Sequence, residues 1–211
     1  EKKDEVDHAV RRVCAMLDFA KEAEAWALGG PVGTEHKQLK GRPVEYLKEP
    51  LKRVQEHAHH VEIPVYVEMI RGLETHALNG IETAIPLIGE MCDAYLKLHW
   101  DTSQALDHGD GDLAYEIREI GEDLLGHVHI SEVARGPLKI QGQVYRQLPA
   151  VFRALRDIGY EGYVSFEGFC YDLWPAVGRE DTVHAYAMTP EERRELAFRE
   201  TKSSLGLMKH V

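Results

Sequence analysis

Four side chains able to hold a metal ion or move a proton stand at the ends of short apolar runs. Val65-Tyr66-Val67 leads into Glu68, and Tyr95–Trp100 leads into Asp101. Leu124–Ile130 carries His129, and Tyr163–Phe166 leads into Glu167. A carboxylate at a strand end is often only a cap for the next helix. Four polar, metal-competent ends in succession are harder to dismiss, because parallel strands bring their carboxyl ends to one rim. Three carboxylates and one imidazole make an oxygen-rich site, which suits Mn²⁺, Co²⁺ or Mg²⁺ better than a structural zinc.

The elements that must position these residues alternate. Helical spacing predicts helices over Lys3–Ala23, Pro43–His60 (with Pro50 kinking or splitting it), Asn79–Ala94, Leu113–Gly121 and Tyr145–Ile158. Thr189-Pro190-Glu191-Glu192 starts a last helix to about Leu205, with Thr at the N-cap, Pro at N1 and Glu at N3. Between them Ala25–Gly29 and the four runs above read as strands, with no hairpin signal. Strand–helix repeated five times is an α/β parallel sheet. A closed (β/α)₈ TIM barrel takes about 250 residues, so this chain of 211 is expected to be one domain, 1–211, forming the C-terminal part of such a barrel. Five parallel strands alone leave two raw edges.

Other candidates carry less. Gly29, Gly30 and Gly33 lack a following G-K-[ST], so they read as a strand-to-helix loop rather than a phosphate cradle. His57, His59 and His60 point in different directions on a helix and read as surface residues. Asp107–Asp112 has the composition of a calcium loop without its ligand spacing. The segment up to Met188, with Tyr171 and Trp174, shows no periodicity. His127 shares a strand face with His129 by the two-residue period.

The bulk properties bound the class. The formal net charge, from 25 basic and 36 acidic residues, is −11, which disfavours a nucleic-acid partner. Cys14, Cys92 and Cys170 are widely spaced and fit buried thiols in a reducing compartment better than disulfides. No long uncharged apolar run and no signal-peptide core are present, so a cytoplasmic protein without a membrane partner is expected.

The motifs around the strand ends resemble a family. E-M-I-R-G-L-E-T-H at Glu68–His76 is similar to E-P-L-N-R-F-E-T-H of the D-tagatose/D-psicose (allulose) 3-epimerases, members of the xylose-isomerase-like TIM barrels. L-H-W-D-T-S-Q at Leu98–Gln104 resembles their L-x-x-D-T-F-H. G-H-V-H-I-S-E-V-A-R-G at Gly126–Gly136 resembles G-H-x-H-x-x-E-x-x-R-G, and I-G-Y-E-G-Y-V-S-F-E-G-F at Ile158–Phe169 resembles I-G-Y-D-G-x-x-x-x-E-x-F. The resemblance covers most of the chain from Trp26 onward and has no counterpart for the family's first three strands. It implies that Glu68, Asp101, His129 and Glu167 are metal ligands, for Mn²⁺ first and Co²⁺ or Mg²⁺ as alternatives. It also implies that Glu68 and Glu167 are the acid/base pair and that Glu74 and Arg135 contact the sugar. His127 falls to the ligand surroundings, to the substrate, or to a structural hydrogen bond. Gln104 stands where the family places a sugar-contacting histidine; it can hydrogen-bond a hydroxyl but carries no proton at neutral pH. Met69 and Arg71 replace the family's Pro and Asn.

The implied reaction is C3 epimerisation of a ketose. One carboxylate removes a proton α to the carbonyl, the other returns one to the opposite face, and a metal steadies the enediolate charge. An aldose–ketose isomerase would use the same residues. An inosose dehydratase-like enzyme, or a barrel that keeps the metal residues but acts as a binding protein, stays open. An endonuclease IV-like protein fits poorly, needing more histidines and DNA contacts. The family resemblance also implies a homo-oligomer and a small sugar as partner.

Overall fold

The computed structural model describes residues 3–32, 44–70, 77–106, 111–168 and 189–209. Five strands, β1 (Leu28–Gly30), β2 (Val65–Glu68), β3 (Leu96–Asp101), β4 (Leu125–Ile130) and β5 (Val164–Phe166), form one sheet in the order β1-β2-β3-β4-β5. Every neighbouring pair is parallel. The helices are α1 (Lys3–Glu22), α2 (Lys48–Val61), α3 (Ile81–Gly89), α4 (Thr102–Leu106), α5 (Leu113–Leu124), α6 (Gln143–Asp157) and α7 (Pro190–Met208). The sheet curves as a half-barrel, the α/β architecture expected from the strand–helix alternation. None of the described helices is long and apolar enough to cross a membrane.

Local chemistry sets the boundaries. Pro50 lies in the first turn of α2, behind a 3₁₀ turn at Val44–Leu47. There its missing N–H interrupts no helical bond, so the predicted helix is split rather than kinked. The helix expected over Asn79–Ala94 is shorter. It ends at Gly89, and Asp93 Oδ1 then accepts the backbone N–H of Tyr95 at 2.7 Å and Leu96 at 3.0 Å. That turn launches β3. In α5, Asp112 caps the start by accepting from the N–H groups of Ala114 and Tyr115, and Gly121 breaks the helix at φ 70°, a left-handed value that glycine takes freely. Thr189 and Glu192 form the full capping box at the start of α7, with Pro190 at N1.

The helix-facing side chains of the strands, among them Val65, Val67, Leu96, Leu98, Trp100, Val128 and Ile130, join Leu17, Leu51, Leu113, Ile117, Leu148 and Val151 of the helices in the core. Each such aliphatic side chain contributes about 1.5–3 kcal/mol by leaving water. The alternate residues face the interior of the half-barrel. On β4 the alternation slips. The register passes from Leu98↔Leu125 directly to His99↔His127, so Gly126 is an extra residue, a bulge. A Cβ at Gly126 would lie 2.3 Å from the Tyr66 ring. Only glycine fits under that ring, and the slip lets Leu125 serve the core while His127 and His129 point inward.

At the amino-terminal end of the half-barrel, Trp26, just before β1, meets Tyr163, just before β5, with ring centroids 4.7 Å apart. His57 and His59 pair with separate carboxylates, Asp18 at 2.7 Å and Asp93 at 2.6 Å, and so do not converge. Cys14 and Cys92 are free thiols, half-buried rather than buried as expected. Cys170, Gly33, residues 107–110 and the patternless segment 169–188 lie outside the described residues.

Candidate metal centre

The site is built by the carboxyl ends of four strands. Glu68 closes β2, Asp101 closes β3, His129 is the penultimate residue of β4, and Glu167 follows β5. Pairing Glu68↔His99 and Asp101↔His129 sets their heights on the rim. One ligand-capable atom from each of Glu68, Asp101, His129 and Glu167 lies within 4.8 Å of all the others. Glu68 is 5% exposed and Asp101 1% exposed. The sequence thus places together the four residues it singles out.

Backbone and hydroxyl contacts fix the geometry. Ser103 N–H donates to Asp101 Oδ1 at 2.7 Å. The Thr102 hydroxyl donates to the Ser131 carbonyl at 2.8 Å and accepts the Ser131 N–H at 2.9 Å, latching the end of β3 to the end of β4. α4 follows Asp101 at once and was not foreseen, since T-S-Q-A-L is too short for a period to be read.

Arg135 reaches in from a 3₁₀ turn after β4. Its own φ is 57°, a left-handed value uncommon outside glycine, and its N–H donates to Ser103 Oγ at 3.0 Å. Backbone strain of this kind persists where the surroundings hold it, here through the contact with Ser103. The guanidinium Nε donates to Glu167 Oε2 at 3.2 Å and lies 3.9 Å from Asp101 Oδ2, while another nitrogen lies 3.9 Å from Glu68 Oε1. His129 Nδ1 is 3.4 Å from Glu167 Oε2. The three carboxylates therefore face one guanidinium and one imidazole.

The charge balance is uneven. Burial, then the neighbouring Glu167 and Glu68 carboxylates, push the Asp101 carboxyl well above its usual range, against the Ser103 N–H and Arg135. Burial also pushes Glu167 up, but His129 and Arg135 outweigh it and hold that carboxyl below its usual value. Asp101 Oδ2 is fully buried without a hydrogen-bond partner among the described residues, and the equally buried His129 Nδ1 faces only Glu167 Oε2 at 3.4 Å. Buried polar atoms of this kind normally have a partner, and a divalent cation among these donors would supply one. The donor set fits a hard, oxygen-preferring metal.

The remaining predicted residues fall in different places. His127 lies one residue pair below the rim, its Nε2 3.2 Å from Ser165 Oγ. Gln104 is buried on α4 and, with Asp101, Met69 and Glu116, lines a cavity of about 210 Å³. Glu74 lies outside the described residues. Glu132, in the same motif, is a helix cap: its carboxylate accepts the N–H groups of Val144 and Tyr145 at the start of α6. Sequence reading missed His99, which is 2% exposed and packs edge-on to His129 with centroids 4.1 Å apart and to His127 at 5.0 Å. The signal was available: His99 is two residues before Asp101 on one strand and must share its face. Burial, then the His129, His127 and Arg135 neighbours, bring His99 down to about 2, and burial and His129 bring His127 down to about 4, so both are neutral imidazoles near pH 7.

Residues 1–200 match the family model described as a xylose isomerase-like TIM barrel. A ketose 3-epimerase of Arthrobacter globiformis is 33% identical over 122 residues, covering 58% of this chain and 40% of that protein. The chain spans about two fifths of the length of the curated relatives it matches. Among solved structures, D-psicose 3-epimerase from Clostridium cellulolyticum H10, crystallised with D-tagatose, superposes with a TM-score of 0.80 at 19% identity. That match covers 100% of this chain and 72% of the other. D-allulose 3-epimerase from Methylomonas sp., in complex with D-allulose, gives a TM-score of 0.77 at 22% identity and covers 97% of this chain and 69% of that one.

Proposed function

This chain belongs to the xylose isomerase-like TIM barrel family, and we propose that it is a divalent-metal-dependent sugar epimerase acting at C3 of a ketose. The observation that carries this reading is the convergence of Glu68, Asp101, His129 and Glu167 around the Arg135 guanidinium. Likeness to the ketose 3-epimerase supports the substrate class.

Glu68, Asp101, His129 and Glu167 would hold the metal, Mn²⁺ first and Co²⁺ or Mg²⁺ as alternatives. When bound, a divalent cation supplies Lewis-acid polarisation of the substrate carbonyl. The chain's own residues do the rest. Glu167 Oε2, kept ionised by His129 and Arg135, takes the proton from C3. Glu68, on β2 with β3 and β4 between it and β5, would start protonated and give that proton to the other face, ending ionised while Glu167 holds the proton taken from C3. Arg135, held by its turn, orients substrate hydroxyls and keeps Glu167 aimed. Gln104 and Glu74 are proposed to contact the sugar, and His127 to support the site from below.

The test is proton exchange in D₂O. The chain, stripped and reloaded with Mn²⁺, is incubated with a panel of ketoses while NMR follows deuterium at C1 and C3. Exchange at C3 with a new epimer is the expected result. Exchange at C1 with an aldose appearing would make it an isomerase. No exchange with stoichiometric metal bound would leave a dehydratase or a binding protein.

A further inference from the structure

We propose that His99, His127 and His129 form a second, nitrogen-rich metal seat one layer below the oxygen-rich rim, sharing His129 with it and suited to Cu²⁺, Zn²⁺ or Ni²⁺. The three imidazoles sit on adjacent strands, His99 paired with His127 and His129 two residues further up β4. One nitrogen from each lies within 4.8 Å of the other two. The rings meet edge-on, with centroids 4.1 to 5.0 Å apart.

The hydrogen-bond account of this cluster does not close. His99 Nδ1 and Nε2 and His127 Nδ1 are buried and have no hydrogen-bond partner among the described residues, whereas His129 Nδ1 faces the rim, 3.4 Å from Glu167 Oε2. A neutral imidazole always carries one N–H donor and one lone pair. His99 is 2% exposed and satisfies neither, and His127 is 9% exposed and satisfies only Nε2, through Ser165. Burying several such groups together is costly unless something pairs them. A cation taking one lone pair from each ring would pair His127 Nδ1 and one nitrogen of His99, leaving only the His99 N–H without a partner among the described residues.

Geometry favours that cation over a fourth packed side chain. A cavity of about 330 Å³ opens onto all three rings, and Gly29 and Ser165 line it without adding a charge. Tetrahedral nitrogens at about 2.0–2.1 Å from a metal stand roughly 3.4 Å from one another. From the 4.8 Å bound the nitrogens would have to close by up to about 1.4 Å to reach that geometry. The cavity leaves a fourth position open, as in three-histidine sites. Ser165 Oγ on His127 Nε2 turns Nδ1 toward the cluster, the usual role of a group behind a ligating histidine. Imidazole ligands select Cu²⁺, Ni²⁺ and Zn²⁺, whereas the rim above, rich in carboxylate, selects harder ions. The two layers would therefore sort metals by ligand chemistry.

The seat shares His129 with the site under Proposed function, so the test separates the two. Metal-stripped full chain is titrated with Cu²⁺ and, separately, with Mn²⁺. Nitrogen superhyperfine structure in the copper EPR spectrum counts the imidazole ligands, and Mn²⁺ EPR measures rim binding. Three nitrogens on copper are expected. His99→Leu and His99→Gln should each lower that count to two and weaken Cu²⁺ at least tenfold, with Mn²⁺ binding unchanged as proof of fold. Asp101→Asn should abolish Mn²⁺ binding and keep the three-nitrogen signal. Fewer than three nitrogens in the unaltered chain, or a copper spectrum indifferent to both His99 variants, overturns the seat. Three nitrogens on copper in a chain that binds no Mn²⁺ overturns the rim reading alone.

Discussion

On β2, β3 and β4 the side chains of one parity meet the helices and those of the other meet the barrel interior. Val67, Leu98, Trp100 and Val128 on the first face are as fully buried as Asp101 and His99 on the second. The first face is apolar and closes on itself by packing. The second carries Glu68, His99, Asp101, His127 and His129, and among the described residues Asp101 Oδ2, both His99 nitrogens and His127 Nδ1 have no hydrogen-bond partner. Burial alone therefore does not mark a core: one face is apolar and packed, the other lines a cavity with polar side chains. Where both faces come from the same three strands, stability and chemistry can be altered separately by choosing the parity.

Substitutions sharpen or break that separation. The largest effect is expected at the acid/base pair. Glu167→Gln should lower turnover by roughly 10²–10⁴-fold while circular dichroism reports an unchanged fold; an active variant would remove Glu167 from the proton path. Next comes Asp101→Asn, which should weaken Mn²⁺ by at least about 100-fold, since even residues behind a ligand cost 10–100-fold. Its melting temperature should not fall, because one of three mutually repelling carboxylates has gone. One residue parity away, Leu98→Ala should do the reverse, costing about 3 kcal/mol of stability in chemical denaturation while Mn²⁺ still binds. If Leu98→Ala released the metal as completely as Asp101→Asn, the two faces would not be independent.

A smaller effect belongs to Arg135→Ala, which should raise KM roughly 10- to 100-fold with metal content intact, one charged hydrogen bond being worth about 1.5–3 kcal/mol. Metal loss instead would make the arginine an organiser of the rim. The smallest effect is on pH dependence. His127 titrates near 4 in the folded chain and about 6.5 when unfolded. Across that window the unfolded chain binds a proton that the native one excludes, so metal-free stability rises with pH there, by at most about 1.4 kcal/mol per pH unit. Asp101, whose raised value makes the native state hold a proton longer, acts in the opposite sense above its unfolded pKa. Urea unfolding at pH 4.5 and 7 should therefore show a smaller difference for His127→Gln than for the unaltered chain.

Much of this was legible in the sequence because the period of two is local. Glu68, Asp101 and His129 end apolar runs, and the strand–helix alternation brings such ends to one rim. The capping box at Thr189–Glu192 was equally local. What was missed depended on neighbours in space. His99 hid inside L-K-L-H-W, where it passed for a member of an apolar run, although its parity with Asp101 fixes its direction. The early end of α3 depends on a carboxylate turn at Asp93. The bulge at Gly126 answers to the ring of Tyr66 on another strand, which no window along β4 contains. The sugar contact proposed for Glu74 rests on the family resemblance alone.

Trp26 has a consequence for light rather than for packing. Its indole lies against Tyr163, 5.7 Å from the Tyr66 ring and 5.8 Å from His127. Trp100, by contrast, is sealed in the core with its Nε1 donating to Glu116 Oε2. The chain therefore carries its own emitter at the doorway of the three imidazoles. Excited-state quenching by a nearby imidazole depends on what that imidazole holds, so of the two described tryptophans Trp26 is the one whose emission should change if the proposed lower layer takes a metal.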